Sequence, residues 1–266
     1  MSVDYDNIPH INHDRLHDSA GRAWQGRAFE ANGWADDDGS APKLLADALA
    51  AFRAGDAAAS DVVDAFRQSR VLIPLLADLG EAELGVHGQL VEKSADLSIV
   101  TVAGPDGQTV LPVFTSVAAM QSWNAGARPV PTEPVKAALA AAAEQTNRIV
   151  IDPGTEATEF AIRRPAIEAI AQSLTWSAPE TRPEIHELFA EAIASEDDVF
   201  AFALMSGDPQ SRLAGSELLA LFRVRAGLTE AKVNETLNRV FERLTASELF
   251  AGAVDSMAVK LVAAEN

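Results

Sequence analysis

Residues 98–116 read SIVTVAGPDGQTVLPVFTS, and this stretch sets the fold class. Two apolar runs rich in β-branched residues, Ser98 to Val102 and Val110 to Thr115, flank Gly104-Pro105-Asp106-Gly107. Pro and Gly spaced in this way punctuate the chain as a tight turn, so the two runs read as the arms of a β-hairpin. Ser116 closes the second run with a side-chain oxygen suited to accept from the free amides of a helix, and a short helix follows to about residues 123–126. A strand handed to a helix through a capping serine is a unit of layered α+β structure.

The pattern extends in both directions. Upstream, Pro42 opens a helix carrying Leu44, Leu45, Ala48, Leu49 and Phe52, and Gly55 stops it. Ser60 is expected to cap a second helix with Val62, Val63 and Phe66 on one side. Residues 70–77, RVLIPLLA, read as a buried strand that Pro74 confines to an edge or a bulge. Residues 78–94 form an acidic, Gly-containing loop. Downstream come the extended Arg128-Pro129-Val130-Pro131, a helix over 133–146, a strand over 148–151 stopping at Asp152-Pro153-Gly154, a further strand over 159–162 and a helix from Pro165 to about 172. Beyond residue 183 the order is helix 184–194, strand 198–205, strand 217–224, a Thr229-capped amphipathic helix with Val233, Leu237, Val240 and Leu244 on one stripe, and strand 255–262. The expected class is α+β: two small α/β-layer domains, with mixed or antiparallel sheets covered by helices. An N-terminal polar arm (1–40), in which Trp24, Phe29 and Trp34 are anchors, precedes an N-terminal domain (41–172), a linker (173–183) and a C-terminal α-β-β-α-β domain (184–266).

Composition narrows the chemistry. The 266 residues hold 39 Asp+Glu against 21 Lys+Arg, a net charge of −18, and no cysteine. Disulfides, zinc–thiolate sites and thiol nucleophiles are excluded. A chain this acidic repels phosphate polyanions and anionic membrane surfaces, so neither nucleic acid nor membrane is an expected partner. Of the cations, 16 are Arg and 5 are Lys, and with 50 Ala this fits a GC-rich coding genome. The first residues, MSVDYDNIPHINHDRLHD, lack a basic start followed by an apolar stretch, and no apolar run approaches the ~20 residues that span a bilayer. The expected location is the cytoplasm.

Asp106-Gly107 with Leu111-Pro112-Val113-Phe114-Thr115-Ser116 resembles the strand-to-helix signature of the SseB family N-terminal domain. Ile149-Val150-Ile151-Asp152-Pro153-Gly154 resembles that domain's closing strand and turn, with Asp152 where Asn is more usual. Either side chain can satisfy such a turn. Residues 182–262 resemble the C-terminal domain found in many members, and Trp34-Ala35-Asp36-Asp37-Asp38-Gly39 with Lys93-Ser94-Ala95-Asp96 resembles the actinobacterial branch. The resemblance supplies no catalytic residue set. It implies a regulatory or interaction role.

The candidate sites are few. His10, His13 and His17 are spaced to share one side of a helix, with Asp14 and Asp18 as further oxygen donors, and are the candidate metal ligands. Pro9 and Asn12 oppose that helix, and a solvated polar arm is the simpler reading. Asp36-Asp37-Asp38-Gly39 fails the alternating pattern of an EF-hand and reads as a turn before a helix. Ser116 has a structural capping role, no Gly-x-Ser-x-Gly is present, and neither familiar nucleotide loop occurs. Arg128, Arg148, Arg163 and Arg164 could converge on an anion, although salt bridging within an acidic protein is the simpler reading. Trp123 and Trp176 read as packing residues.

These readings lead to a non-enzymatic protein with no cofactor, acting through protein contacts at the rim of the 104–116 hairpin and the 126–131 segment. Phe114, Trp123 and Arg128 are the contact residues. The alternative is a metal- or small-ligand-binding protein, or an enzyme, using a cleft between the two domains. A homodimer formed by pairing of an exposed edge strand is a third option.

Overall fold

In the computed structural model, which describes residues 37–77, 97–105 and 107–264, Pro42 at φ −58° starts helix α1 (Lys43–Ala54) and Gly55 at φ 81° ends it. Leu45 and Leu49 are its buried stripe. Helix α2 (Ala59–Arg67) buries Val62, Val63, Ala65 and Phe66. Its start differs from expectation. Ser60 lies inside the helix, and Asp61 takes the Ala58 N–H at 2.8 Å, because a carboxylate in the first turn satisfies a free amide as well as a capping hydroxyl does.

Strand β1 (Val71–Ala77) is central, which corrects the edge or bulge expected for Pro74. It pairs antiparallel with β2 (Leu97–Ile99) on one side and β5 (Arg128–Thr132) on the other. Backbone donors alternate sides along a strand. Val71, Ile73 and Leu75 face β5, whereas Leu72 exchanges bonds with Phe114 and Leu76 pairs with Ser98. The missing N–H of Pro74 therefore falls between the Phe114 bridge and the Ser98 pair, where no ladder bond is lost. Pro129 and Pro131 sit opposite Pro74 and Leu72, so their missing donors point to the free edge of β5.

The expected hairpin is present but short. Strand β3 (Val102–Ala103) pairs antiparallel with β4 (Thr109–Val113) across the turn. Residues 97–99 leave it to join β1. Ser116 accepts from Ala119 N at 3.1 Å and caps α3 (Val117–Trp123). Helix α4 (Pro134–Ala143), strand β6 (Arg148–Ile151), strand β7 (Phe160–Arg163) and helix α5 (Arg164–Ala171) complete this part. The sheet order is β3-β4-β6-β7, with β4 and β6 parallel and β6 and β7 antiparallel. One face, bearing Leu111, Val113, Ile149, Ile151, Phe160 and Ile162, packs on α1, α2, α4 and α5. The other bears Val110, Val150 and Ala161 and is covered by Leu213. Strand β6 is thus apolar along both faces, as a strand buried on both sides requires.

A 3₁₀ turn (Pro179–Thr181) leads to α6 (Pro183–Ile193), β8 (Val199–Ser206), β9 (Leu218–Val224), α7 (Glu230–Thr245), α8 (Glu248–Ala253) and β10 (Met257–Ala263). Helix α8, capped by Ser247, interrupts the expected α-β-β-α-β order. The sheet order is β10-β9-β8, with β10 parallel and β8 antiparallel to β9. Its second core joins Phe189, Leu218, Ala220, Phe222, Val240, Leu244 and Phe250. A fully buried Leu or Phe in either core contributes about 1.5–3 kcal/mol. The chain from Asp38 onward forms one compact unit, and the fold is α+β with mixed sheets.

Asp152 ties β6 to the end of β4. At φ 43° it is left-handed and buried. One carboxylate oxygen takes the Thr115 N–H at 2.8 Å and the other the Thr115 hydroxyl at 2.7 Å. Burial nevertheless pushes its pKa above the usual carboxylate range, with the Thr115 bonds opposing. A carboxyl whose pKa is raised by folding is most favourable while protonated, so its contribution declines as pH rises. Asp152→Asn keeps an acceptor for the amide and suits the left-handed backbone. We expect a Tm at about pH 8 equal to or above that of the unmodified chain, with a shallower fall in stability as pH rises above the ordinary carboxylate range in urea titrations. A clear loss of Tm would show that the charged form is required.

Candidate functional site

The last residue of β7 opens the site. Arg163 is buried, and its guanidinium reaches three partners in two segments distant in sequence. It meets Asp208 at 2.8 Å, Asp255 at 3.4 Å and the Gly215 carbonyl at 2.6 Å. Arg148, from the neighbouring β6, adds a second cation 3.6 Å from Asp255. Asp208 also folds the loop that carries it, because its carboxylate accepts the backbone N–H groups of Arg212 and Leu213 at 3.2 and 2.7 Å. Gly207 and Gly215 close the base of that loop. A Cβ on Gly207 would stand 2.3 Å from the Ser216 carbonyl oxygen, and one on Gly215 would stand 2.4 Å from the Gly207 oxygen. Ser211 gives its carbonyl to the Ala161 N–H on the edge of β7 at 2.7 Å.

Below this ionic seam lies a cavity of about 40 Å³. Its walls come from α2, β7, α5, the 176–180 segment and the ends of β8 and β9. Three polar groups there have a buried atom without a hydrogen-bond partner: Trp176 Nε1, Glu180 Oε2 and Glu217 Oε1. Glu217 is only 7% exposed, and its other oxygen takes the Asp255 N–H at 2.6 Å. Burial first, and the neighbouring carboxylates of Asp255 and Glu180 after it, push Glu217 up to about 7. Burial raises Glu180 as well.

A second feature is the outward face of the C-terminal sheet. Register places Ala201, Ala203 and Met205 of β8, Leu219, Leu221 and Arg223 of β9, and Ala258, Lys260 and Val262 of β10 on one side. The opposite side holds the core residues Leu218, Ala220 and Phe222. Met205 is 41% and Val262 40% exposed, Ala201 and Ala203 are exposed, and Leu219 and Leu221 are half-buried. Among the described strand residues on this face, the only charged side chains are Arg223 and Lys260. Beside it, Phe200 stands 51% exposed under the guanidinium of Arg225.

The residues singled out in the sequence fall in different places. Phe114 has no exposed surface and packs on Trp123, ring centroids 5.3 Å apart. Arg128 is exposed on β5, close in sequence to the exposed Val130. Ser116 caps α3. Of the four arginines, Arg148 and Arg163 converge on Asp255, Arg164 donates to the carbonyls of Ala251 and Val254, and Arg128 lies apart on β5. Asp38 accepts from Ser40 N at 2.8 Å, a turn before α1. His10, His13, His17 and Asp36 lie outside the described residues. Among the described residues no group of three or more His, Asp or Glu is placed to hold a metal ion, and no helix is long and apolar enough to cross a membrane.

The family model for the SseB protein N-terminal domain matches residues 45–169, the segment from α1 through most of α5. The chain carries an SseB protein N-terminal domain. The matched segment ends within α5, so Arg148 and Arg163 lie inside it whereas Asp208, Glu217 and Asp255 lie beyond it. No curated protein and no solved structure matches the chain.

Sequence reasoning found two of the seam's cations but none of its acids. Asp208 and Glu217 stand at opposite ends of the β8–β9 loop and Asp255 stands before β10, and only the fold brings them together. The available signal was weak: an acid directly before an apolar strand at Glu217, and Gly-Asp-Pro at 207–209.

Two outcomes follow from this geometry. Arg163→Met leaves Asp208 without its buried cation and should cost about 3–5 kcal/mol in urea unfolding, with Arg163→Met/Asp208→Asn recovering part of the loss. Glu217, raised from its ordinary value to about 7, adds stability while both states hold the proton. That contribution is lost as pH rises from the unfolded-state value through about 7, an amplitude of about 3 kcal/mol at most. Glu217→Gln should flatten this part of the stability–pH curve, and an unchanged slope would show that Glu217 does not titrate there.

Proposed function

We propose that this SseB-domain protein is a non-enzymatic cytoplasmic protein of regulatory type that works by binding another protein. The outward face of its C-terminal sheet is the contact surface. The observation that carries this reading is an exposed apolar sheet face whose only charges among the described residues, Arg223 and Lys260, are positive in a chain of net charge −18. A sheet apolar on both faces wants a layer on each. The occupant that completes it is an amphipathic helix of a partner, its apolar stripe on Leu219, Leu221 and Met205 and its acidic borders against the two cations. Residues 182–262 fit the C-terminal domain of the family, and the chain fits its actinobacterial branch. Arg128 and Val130 on the edge of β5 remain a smaller exposed patch, whereas Phe114 acts through packing. The alternative of a small-ligand protein is favoured by a different observation, the cavity beneath the seam.

The test is direct. A fluorescent synthetic helix with a leucine stripe bordered by glutamates is titrated into the full chain, beside a version bordered by lysines. The acidic helix should bind. Arg223→Glu/Lys260→Glu should weaken it by at least about tenfold, equivalent to about 1.4 kcal/mol, while leaving Tm within a few degrees. Equal binding of both helices, or binding untouched by the charge reversal, would defeat the reading. So would a dimer in sedimentation that Leu221→Glu dissociates, since the face would then be covered by a second copy.

A further inference from the structure

The cations of the seam are already engaged. Arg163 serves Asp208 and Asp255, and Arg148 serves Asp255. Two acids facing the same cavity are left over. Glu217 is more than nine-tenths buried, with Oε1 unpartnered, and Glu180 has a buried, unpartnered Oε2. Among the described residues neither carboxylate has an ion-pair partner. Buried charge is ordinarily paired or coordinates a cation. The structure therefore leaves two acceptor oxygens of one sign in a small cavity whose remaining polar lining is Ser206, Ser211, Asp208, Trp176 and Arg163, the last already bonded to Asp208, Asp255 and the Gly215 carbonyl.

Size and charge select the ligand. A volume of about 40 Å³ admits about three species the size of water. Anions are refused by the carboxylates. Hydrated magnesium is too large, and calcium wants six to eight oxygens at bonding distance. A monovalent cation that donates its own hydrogen bonds fits both the volume and the acceptors. We infer that this cavity is a binding site for an ammonium-class cation, with ammonium itself as the simplest occupant, held between Glu217 and Glu180. A water beside it accepts from Trp176 Nε1–H. The site is independent of the sheet face and of any protein partner.

The charged groups that face Glu217 are the carboxylates of Glu180, Asp208 and Asp255 and the guanidinium of Arg163. A proton on Glu217 competes with the cation, so binding strengthens as pH rises through about 7.

The experiment is thermal unfolding of the full chain in ammonium, potassium and sodium chloride at equal ionic strength, at about pH 6 and about pH 8. Ammonium should raise Tm by a few degrees over the other two salts at the higher pH, saturably, and by less at the lower pH. Glu217→Gln, which retains an acceptor for the Asp255 N–H, should abolish the increment. Glu180→Gln gives a second reading if the first variant folds poorly. Equal Tm in potassium and ammonium would overturn the inference, because size alone would then explain the effect. Equal Tm in all three salts would mean that water and protons fill the cavity. Survival of the increment in both variants would place the ammonium effect elsewhere. Each of these results leaves the proposal about the sheet face untouched.

Discussion

The guanidinium of Arg163 sits almost out of water between Asp208, Asp255 and the Gly215 carbonyl, partners drawn from the β8–β9 loop and the segment before β10. Taking such a cation from water costs several kcal/mol, and it is offset only when every partner is in place. A cluster of this kind is a poor source of net stability, but it discriminates strongly against misplaced loops. With Asp208 fixed on Arg163, its remaining oxygen lone pairs hold the amides of Arg212 and Leu213. Leu213 is thereby set on the outer face of the β3-β4-β6-β7 sheet, and the Ser211 carbonyl meets the edge of β7. The contact between the two hydrophobic cores thus has polar rather than apolar specificity at its centre.

Supporting contacts repeat this logic at lower burial. Arg53 of α1 reaches the Gln210 and Glu159 carbonyls, Arg212 reaches the Glu156 carbonyl, and Arg164 reaches those of Ala251 and Val254. Arginine suits this work because its planar fork can satisfy several carbonyls while staying charged. In a chain with so few cations, those drawn into the seam are unavailable to the acids nearby. Glu217 and Glu180 meet burial without an ion pair of their own, and burial raises both pKa values, with the Arg163 charge opposing the rise only in part at Glu217.

What the sequence reveals follows from the range of the forces involved. Helices α1, α4, α5, α6 and α7 and strands β1, β4, β6, β8, β9 and β10 are readable because periodicity, caps and Pro/Gly punctuation act within a few residues. Pro74 misleads because a proline rule counts donors, whereas the ladder asks which side each donor faces. Position 74 falls in a gap between partners on that side. Helix α8 goes unread because its apolar pattern is short. The site is legible only in part: Arg148 and Arg163 stand out as cations in an acidic chain, but their anions come from 45 to over 90 residues away, a range at which composition carries no register. Phe114 shows the converse. An aromatic at a strand end invites a contact reading, yet the Leu72 bridge and Trp123 enclose it entirely.

The exposed sheet face and the acidity bear on each other. Net charge −18 keeps copies apart at long range, and Lys260 on the edge strand β10 discourages strand pairing at short range. Both effects oppose self-association through the apolar face. The same field opposes an acidic partner at a distance. At physiological ionic strength, however, it decays over about 8 Å, so a helix that reaches the face senses mainly Arg223 and Lys260. Affinity then depends on local complementarity and apolar burial, while the encounter rate depends on the global field. Added salt should act in opposite directions on the two, speeding approach by screening the repulsion and weakening the short-range pairing. Under the proposed reading, a surface of this design would bind its partner for fit rather than by electrostatic capture, as suits contacts that are selective rather than fast.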